Sequence, residues 1–212
     1  MRNEDIAQVT EIDREVSPTL WPPPNYKHEL RNGLAHYIVA CDDEKIVEQP
    51  EVKTPSGESL TGLASRLKHL FSRKHLSSHE LSPPTGHYIV GFVGFWIMAD
   101  EAHITSIAVR EAYRRRGLGE LLLIPAIDLA RELKARIVTL EVRASNTGAQ
   151  NLYVKYSFAQ EGVRRGYYTD NREDGLIMST QDITLATFQA HFEQLKQAHS
   201  KKWGIALNQI AR

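Results

Sequence analysis

The segment from Ile104 to Leu133 constrains the fold most. Ile107-Ala108-Val109 is a β-rich run, and a few residues later comes Tyr113-Arg114-Arg115-Arg116-Gly117-Leu118-Gly119. Leu118, Leu121, Leu122, Leu129 and Leu133 then recur at helical spacing. A strand is thereby expected to pass through a basic, glycine-containing turn into a helix N-terminus. That end of a helix exposes unpaired N–H groups and a positive dipole, both suited to a diphosphate. Gly117 and Gly119 lack a Cβ and let backbone approach phosphate oxygens closely, and the arginines add charge and donors. On spacing alone, an ordinary strand–helix turn with solvated arginines stays open. The glycine patterns of P-loops and dinucleotide folds are absent.

The remaining periodicity gives a mixed order of strands and helices. A weak helix is expected over Ile6 to Leu20, a rigid break at Trp21-Pro22-Pro23-Pro24-Asn25, and a short helix over Tyr26 to Asn32. A strand over Ala35 to Ala40 is expected to end in a turn at Cys41-Asp42-Asp43. His87 to Met98 and His103 to Val109 read as a hairpin, and Ile137 to Val142 as a strand followed by a helix over Thr147 to Tyr156. Strands near Ala159 to Arg165 and Gly175 to Met178 follow, then a C-terminal helix marked by Leu185, Phe188, Phe192 and Leu195. Hairpins among mixed elements indicate the α+β class rather than regular βαβ units.

Between these elements lies Gln49 to Gly86, rich in Ser and Pro, which reads as an insert. Within it Leu63, Leu67, Leu70 and Phe71 mark one face of a short helix flanked by Arg66, Lys68, Arg73 and Lys74. Such a basic face suits an anionic surface, although a solvated insert is the simpler expectation. Residues 1–182 then form one domain carrying the insert, and 183–212 a C-terminal helical extension. The chain of 212 residues holds 26 basic and 26 acidic side chains. That balance argues against a dedicated nucleic-acid binder. The longest nearly apolar run, Tyr88 to Ala99, is shorter than the roughly 20 residues a membrane helix needs. With no apolar leader and a single cysteine, Cys41, the expectation is a cytoplasmic protein without an internal disulfide.

A second junction carries the chemistry. In Leu140-Glu141-Val142-Arg143-Ala144-Ser145-Asn146, Glu141 alternates against Val138, Leu140 and Val142, where a carboxylate beside a cleft could act as a base. A solvent-facing Glu is equally compatible with the position. Asn146 suits a helix N-cap. Tyr153 lies seven residues on, two turns along the same helix face, where packing is the plainer role. His75 and His79 lack the intervening Glu of a zinc-protease helix.

From Ile104 to Met178 these residues resemble the Gcn5-related N-acetyltransferase (GNAT) superfamily. Arg114-Arg115-Arg116-Gly117-Leu118-Gly119 fits its phosphate turn. The run Leu140 to Asn146 with Leu152-Tyr153, and Arg164-Arg165-Gly166-Tyr167-Tyr168 followed by Asn171 to Gly175, are more specific. They are most similar to the ribosomal-protein-alanine N-acetyltransferases, the bacterial RimI type. The resemblance implies a GNAT fold, a mostly antiparallel mixed sheet with splayed central strands flanked by helices. It implies acetyl-coenzyme A as co-substrate, with no metal. Ile107, Ala108 and Val109 would pair with its pantetheine arm, Arg114 to Glu120 would wrap its diphosphate, and Asn146 would touch the arm. Glu141 would be the general base and Tyr153 the general acid, with direct attack through a tetrahedral intermediate. Trp21, Tyr167 and Tyr168 would hold the acceptor, a protein N-terminus and foremost an N-terminal alanine of a small-subunit ribosomal protein. A small amine or lysine acceptor, or a non-catalytic coenzyme-binding or ribosome-associated module, are the alternatives.

Three departures bear on local geometry. Ser157 stands where the family has Gly, and a non-Gly left-handed cap costs on the order of 1 kcal/mol, so a different helix end is expected. Gly175 replaces an Ala, a mild change. Pro125 inside the leucine-rich helix is expected to kink it or cost about 3 kcal/mol.

Overall fold

The computed structural model describes residues 1–17, 24–48 and 85–204. Helix α1 (Ile6–Val16) and the single turn α2 (Tyr26–Glu29) precede strands β1 (Ala35–Glu48), β2 (Thr85–Met98) and β3 (Glu101–Val109). Helix α3 (Leu118–Glu132), strand β4 (Ile137–Arg143) and helix α4 (Thr147–Lys155) come next, then β5 (Phe158–Tyr168), β6 (Glu173–Thr180) and α5 (Ala186–Trp203). The α+β expectation holds. The strands form one sheet in the order β1-β2-β3-β4-β6-β5, antiparallel throughout except for the β3–β4 pair. Among the described residues no helix is long and apolar enough to cross a membrane.

The central strands explain the layering. Ile89 to Phe95 in β2 are all buried, as a strand covered on both faces must be. On one face Ile89, Phe92 and Ala108 meet Val9, Ile12 and Tyr26 of α1 and α2. On the other, Val90, Val93, Ile104, Val138, Leu140 and Val142 meet the apolar side of α3. Ile183, Phe188 and Phe192 belong to that same cluster, so α5 shares the main core. Pro125 is buried within an α3 that runs unbroken from Leu118 to Glu132.

β1 departs from the sequence expectation. Instead of turning at Cys41-Asp42-Asp43 the strand continues to Glu48, absorbing register shifts at Ala40/Cys41 and Asp42/Ile46. Bulges let a strand take up turn-favouring residues without ending. Ser157 also corrects its expectation. It adopts φ 64 and accepts the left-handed cap, so the helix end keeps that geometry despite the side chain. The basic amphipathic face at 63–74, His75, His79 and Trp21 lie outside the described residues.

β3 and β4 pair over only four residues, Glu101–Ile104 against Ile137–Leu140. Just beyond Ile104 the β2–β3 register slips, leaving Thr105 as an extra residue opposite Gly94 and Phe95. Its hydroxyl donates to the Gly94 carbonyl at 3.2 Å. A bulge bends its strand and sharpens the local twist. β3 therefore turns away from β4 where their pairing stops, and the sheet opens between Thr105–Val109 and Glu141–Arg143.

Candidate active site

The opening between β3 and β4 presents backbone groups without a strand partner. The Arg110 N–H donates to Val90 O on β2. Strand alternation therefore turns Ala108 toward β2, and the N–H and C=O groups of Ile107 and Val109 into the gap. Buried backbone groups need partners, and an extended chain bearing amides could pair with these two residues.

At the end of β3 the chain makes a short 3-10 turn (Glu111–Tyr113) and enters α3 through the arginine run. Arg115 and Gly117 are both left-handed, at φ 62 and φ 79. The turn thus stores backbone strain at one non-glycine position, as functional loops often do. Gly117 is the N-cap of α3, and its carbonyl accepts the Leu121 N–H at 2.9 Å. The first-turn N–H groups that follow lack intrahelical partners. The arginine side chains divide: Arg114 Nε donates to Val109 O at 3.2 Å, Arg116 stacks over Tyr113, and Arg115 reaches toward Gly148 in the first turn of α4.

The two glycines differ from the sequence expectation in what their missing Cβ atoms admit. A Cβ on Gly117 would meet the Trp203 indole at 2.5 Å, and one on Gly119 would touch only Leu152 at 3.7 Å. The space is filled by α5 in one case and faces α4 in the other. Glu120 is also turned inward: its carboxylate accepts from Tyr156 Oη at 2.7 Å and Lys155 Nζ at 2.5 Å. Its side chain ties α3 to the end of α4 and leaves only its backbone N–H for the turn. Asn146 is the N-cap of α4, with Oδ1 accepting from the Ala149 N–H at 3.1 Å. The capping role is therefore realised, and the side-chain amide is its donor group.

Glu141 sits on the face of β4 opposite the core residues Val138, Leu140 and Val142. Its side chain is nevertheless only 6 % exposed, so the solvent-facing alternative fails. Two groups cover it. Arg164 Nη2 lies 3.0 Å from Oε1, and His103 Nε2 lies 3.2 Å from Oε2. Local sequence gave no sign of either partner. His103 arrives because it is the register partner of Thr139 across the parallel pair. Arg164 arrives from β5, which never pairs with β4.

The proton positions follow from the partners. Thr139 Oγ1 donates to Glu101 Oε1, because a carboxylate only accepts. It must then accept from His103 Nδ1, 2.9 Å away. Glu101, Thr139 and His103 are joined by hydrogen bonds, and His103 stands between them and the buried Glu141 carboxylate.

The tyrosines gather beside this line. Tyr167 and Tyr168 meet edge to face at 5.2 Å between ring centroids. Arg164 stacks on Tyr167, and Arg143 stacks on Tyr168 at 4.0 Å. Burial pushes the Tyr168 phenol up to about 12, and Glu141 adds to the rise. Burial raises Tyr167 as well, with Glu141 again contributing. Tyr153 is 4 % exposed and packs on Phe158. Burial, then Tyr168, lifts its phenol well above the usual range. Glu141 thus acts on Tyr167 and Tyr168, and Tyr168 on Tyr153.

Ion pairs tie the end of β4 to the turn between β5 and β6. Arg143 pairs with Asp170 at 2.8 Å and Glu173 at 3.1 Å. Glu173 also accepts the Ser145 N–H at 2.6 Å. These bonds hold the Glu173 carboxyl at about 2, the Ser145 contacts contributing most. Arg165 and the Gly166 N–H bind Asp174 in the same way. Gly175, the mild departure of the sequence reading, has a specific use here: a Cβ would lie 2.9 Å from the Tyr167 ring.

Comparisons with known proteins place this arrangement. The sequence profile of the acetyltransferase (GNAT) family matches residues 62–158. A Bacillus subtilis (strain 168) protein, provisionally named a ribosomal protein bS18-alanine N-acetyltransferase, is 36% identical over 179 residues. That match covers 84% of this chain and 90% of the relative. An N-alpha-acetyltransferase of Sulfurisphaera tokodaii is 43% identical over 179 residues, covering 84% of this chain and 88% of its own. A crystal structure of a provisionally assigned GNAT acetyltransferase from Desulfovibrio desulfuricans superposes with a TM-score of 0.53. It covers 85% of this chain and 94% of that one at 13% identity, a likeness of fold alone.

Proposed function

The chain belongs to the acetyltransferase (GNAT) family, and from that premise we propose that it acetylates the N-terminal α-amine of a protein, using acetyl-coenzyme A. The favoured acceptor is an N-terminal alanine of a small-subunit ribosomal protein, which would place the reaction in the cytoplasm. The observation that carries the reading is the buried Glu141 carboxylate at the mouth of the β3–β4 opening, beside the paired tyrosines. The names of the two relatives, one a ribosomal protein bS18-alanine N-acetyltransferase and the other an N-alpha-acetyltransferase, support the acceptor class.

The residues present fit the co-substrate. The gap-facing backbone of Ile107 and Val109 suits an amide-bearing arm, and the α3 N-terminus with Arg115 suits the diphosphate at its end. When bound, acetyl-coenzyme A supplies an acetyl group activated as a thioester.

The chain's own groups then divide the work. An α-amine with a pKa of about 8 is partly protonated at neutral pH and must lose a proton before it can attack. Glu141 takes that proton, directly or through water. The Val109 N–H is a donor for negative charge developing on the acyl oxygen. Tyr153, kept as a phenol by burial, donates to the departing sulfur. Because its phenol is a weaker acid than a thiol, it keeps its proton and stabilises the leaving thiolate through a hydrogen bond. Tyr167 and Tyr168 line the acceptor side.

Peptides beginning with Ala, Ser or Met, incubated with acetyl-coenzyme A, test the proposal. Acetylation of the Ala peptide by the wild type, with loss of turnover in Tyr153→Phe at unchanged coenzyme affinity, is expected. Absence of acetylation on every peptide contradicts it.

A further inference from the structure

We propose that α5 is a working part of the coenzyme site, with His199 and Trp203 acting as positioning residues that hold the phosphate turn. This rests on the reading that the turn binds a diphosphate.

α5 runs antiparallel to α3 and is tied along its length. Gln189 accepts from Arg131, Lys196 Nζ donates to Asp128 at 2.9 Å, and the last two turns reach Gly117. There the His199 ring, 2 % exposed, places Nε2 3.1 Å from the Gly117 carbonyl oxygen. A carbonyl only accepts, so Nε2 carries the hydrogen. Among the described residues Nδ1 is buried without a hydrogen-bond partner. Burying an unpaired ring nitrogen costs free energy that an apolar residue would avoid. The return at this position is the bond to Gly117. That carbonyl also receives the first helical N–H of α3, from Leu121 at 2.9 Å. One atom therefore links the turn, the start of α3 and the end of α5.

Trp203 adds a second restraint on the same residue. Its pyrrole edge fills the position a Cβ on Gly117 would take, with Nε1 and Cε2 both 2.5 Å from that point. Gly117 at φ 79 is thus pinned through its carbonyl by His199 and through its open face by Trp203. Its conformation decides where the N–H groups of Leu118, Gly119 and Glu120 point. A turn fixed before binding loses less entropy when the ligand arrives, so affinity rises without any new contact to the ligand. The phosphate-binding residues alone are a common strand–turn–helix device. In this chain their geometry is set by a helix 82 residues further along.

The test uses the full-length protein. Kd for coenzyme A is measured by calorimetry and KM for acetyl-coenzyme A and peptide by turnover, for His199→Ala, His199→Gln and Trp203→Ala. The two alanine variants are expected to weaken coenzyme binding and raise its KM by about tenfold, or about 1.4 kcal/mol. Peptide KM and kcat should stay within about twofold, since only uniform coenzyme binding is lost. His199→Gln, whose amide can donate to the same carbonyl, should recover most of the affinity. Should His199→Ala fail to fold, Trp203→Ala at the helix end carries the test. Unchanged coenzyme Kd in the folded variants overturns the proposal. Tighter binding in Trp203→Ala also overturns it, because the indole would then occupy ground the coenzyme needs. A wild type that binds no coenzyme A refutes the underlying functional reading instead.

Discussion

The two sides of the β3–β4 opening are built by different physics. On the side proposed for the coenzyme the groups offered are backbone: the gap-facing amides of Ile107 and Val109, and the first turn of α3 behind a left-handed Gly117. Their aim is set by a bulge, by dihedral angles and by close packing. On the side proposed for the acceptor the groups offered are side chains, Glu141, Tyr167 and Tyr168, placed by ion pairs through Arg164, Arg143 and Glu173. Backbone geometry survives changes of pH and salt that ion pairs do not. The difference suits the tasks proposed for them: one side meets an invariant ligand, the other must admit a peptide and move a proton.

The largest separation of the two sides comes from Glu141→Gln. Removing a general base costs roughly 10² to 10⁴ in rate, and calorimetric affinity for coenzyme A should not change. Loss of both would mean that the sides are not independent. Gly117→Ala should do the reverse. Forcing a Cβ into φ 79 and into the Trp203 indole should destabilise the fold by about 3 kcal/mol in thermal unfolding. Coenzyme KM should rise far more than peptide KM.

The acceptor side should also be the more acid-sensitive. Glu173 is depressed to about 2 from 4.5. Its contribution to stability is therefore complete above about pH 4.5 and lost as pH falls toward 2. In Glu173→Gln that contribution is missing at pH 7. The Tm gap between wild type and variant should close on acidification across this window, and a gap independent of pH would assign the loss to packing. Gly175→Ala is a milder probe. Displacing Tyr167 should raise peptide KM several-fold, on the scale of about 1 kcal/mol for a local overpacking, and leave coenzyme KM alone. The smallest effect is a gain, outside both sides. Ser157→Gly relieves a left-handed cap and should add about 1 kcal/mol, or about 3 °C in Tm.

The same comparison explains what local sequence could and could not reveal. The turn proposed to bind the diphosphate is legible because strand, arginines, glycines and helix follow one another along the chain. Glu141 was visible as a charge inside an apolar strand. Its partners were not, since His103 depends on the register of a parallel pair and Arg164 on a strand two positions away in the sheet. His199 and Trp203 were hidden by distance along the chain, and their periodicity spoke only of a helix. β1 ran through Asp42 because bulges absorbed a turn signal that tertiary pairing outweighed. Gly175 is an incidental change along the chain, and only the fold brings the Tyr167 ring against it.

The central claim is acetyl transfer to an α-amine by a buried carboxylate base. The most direct measurement is the position of the acetyl group after reaction of acetyl-coenzyme A with a peptide that begins in Ala and carries an internal Lys. An α-amine titrates near 8 and a lysine near 10.4, so a carboxylate base favours the former at neutral pH. Fragment mass spectrometry should find the label on the N-terminal nitrogen, and none of it with Glu141→Gln. Acetyl on the lysine, or undiminished N-terminal labelling by Glu141→Gln, would contradict the account.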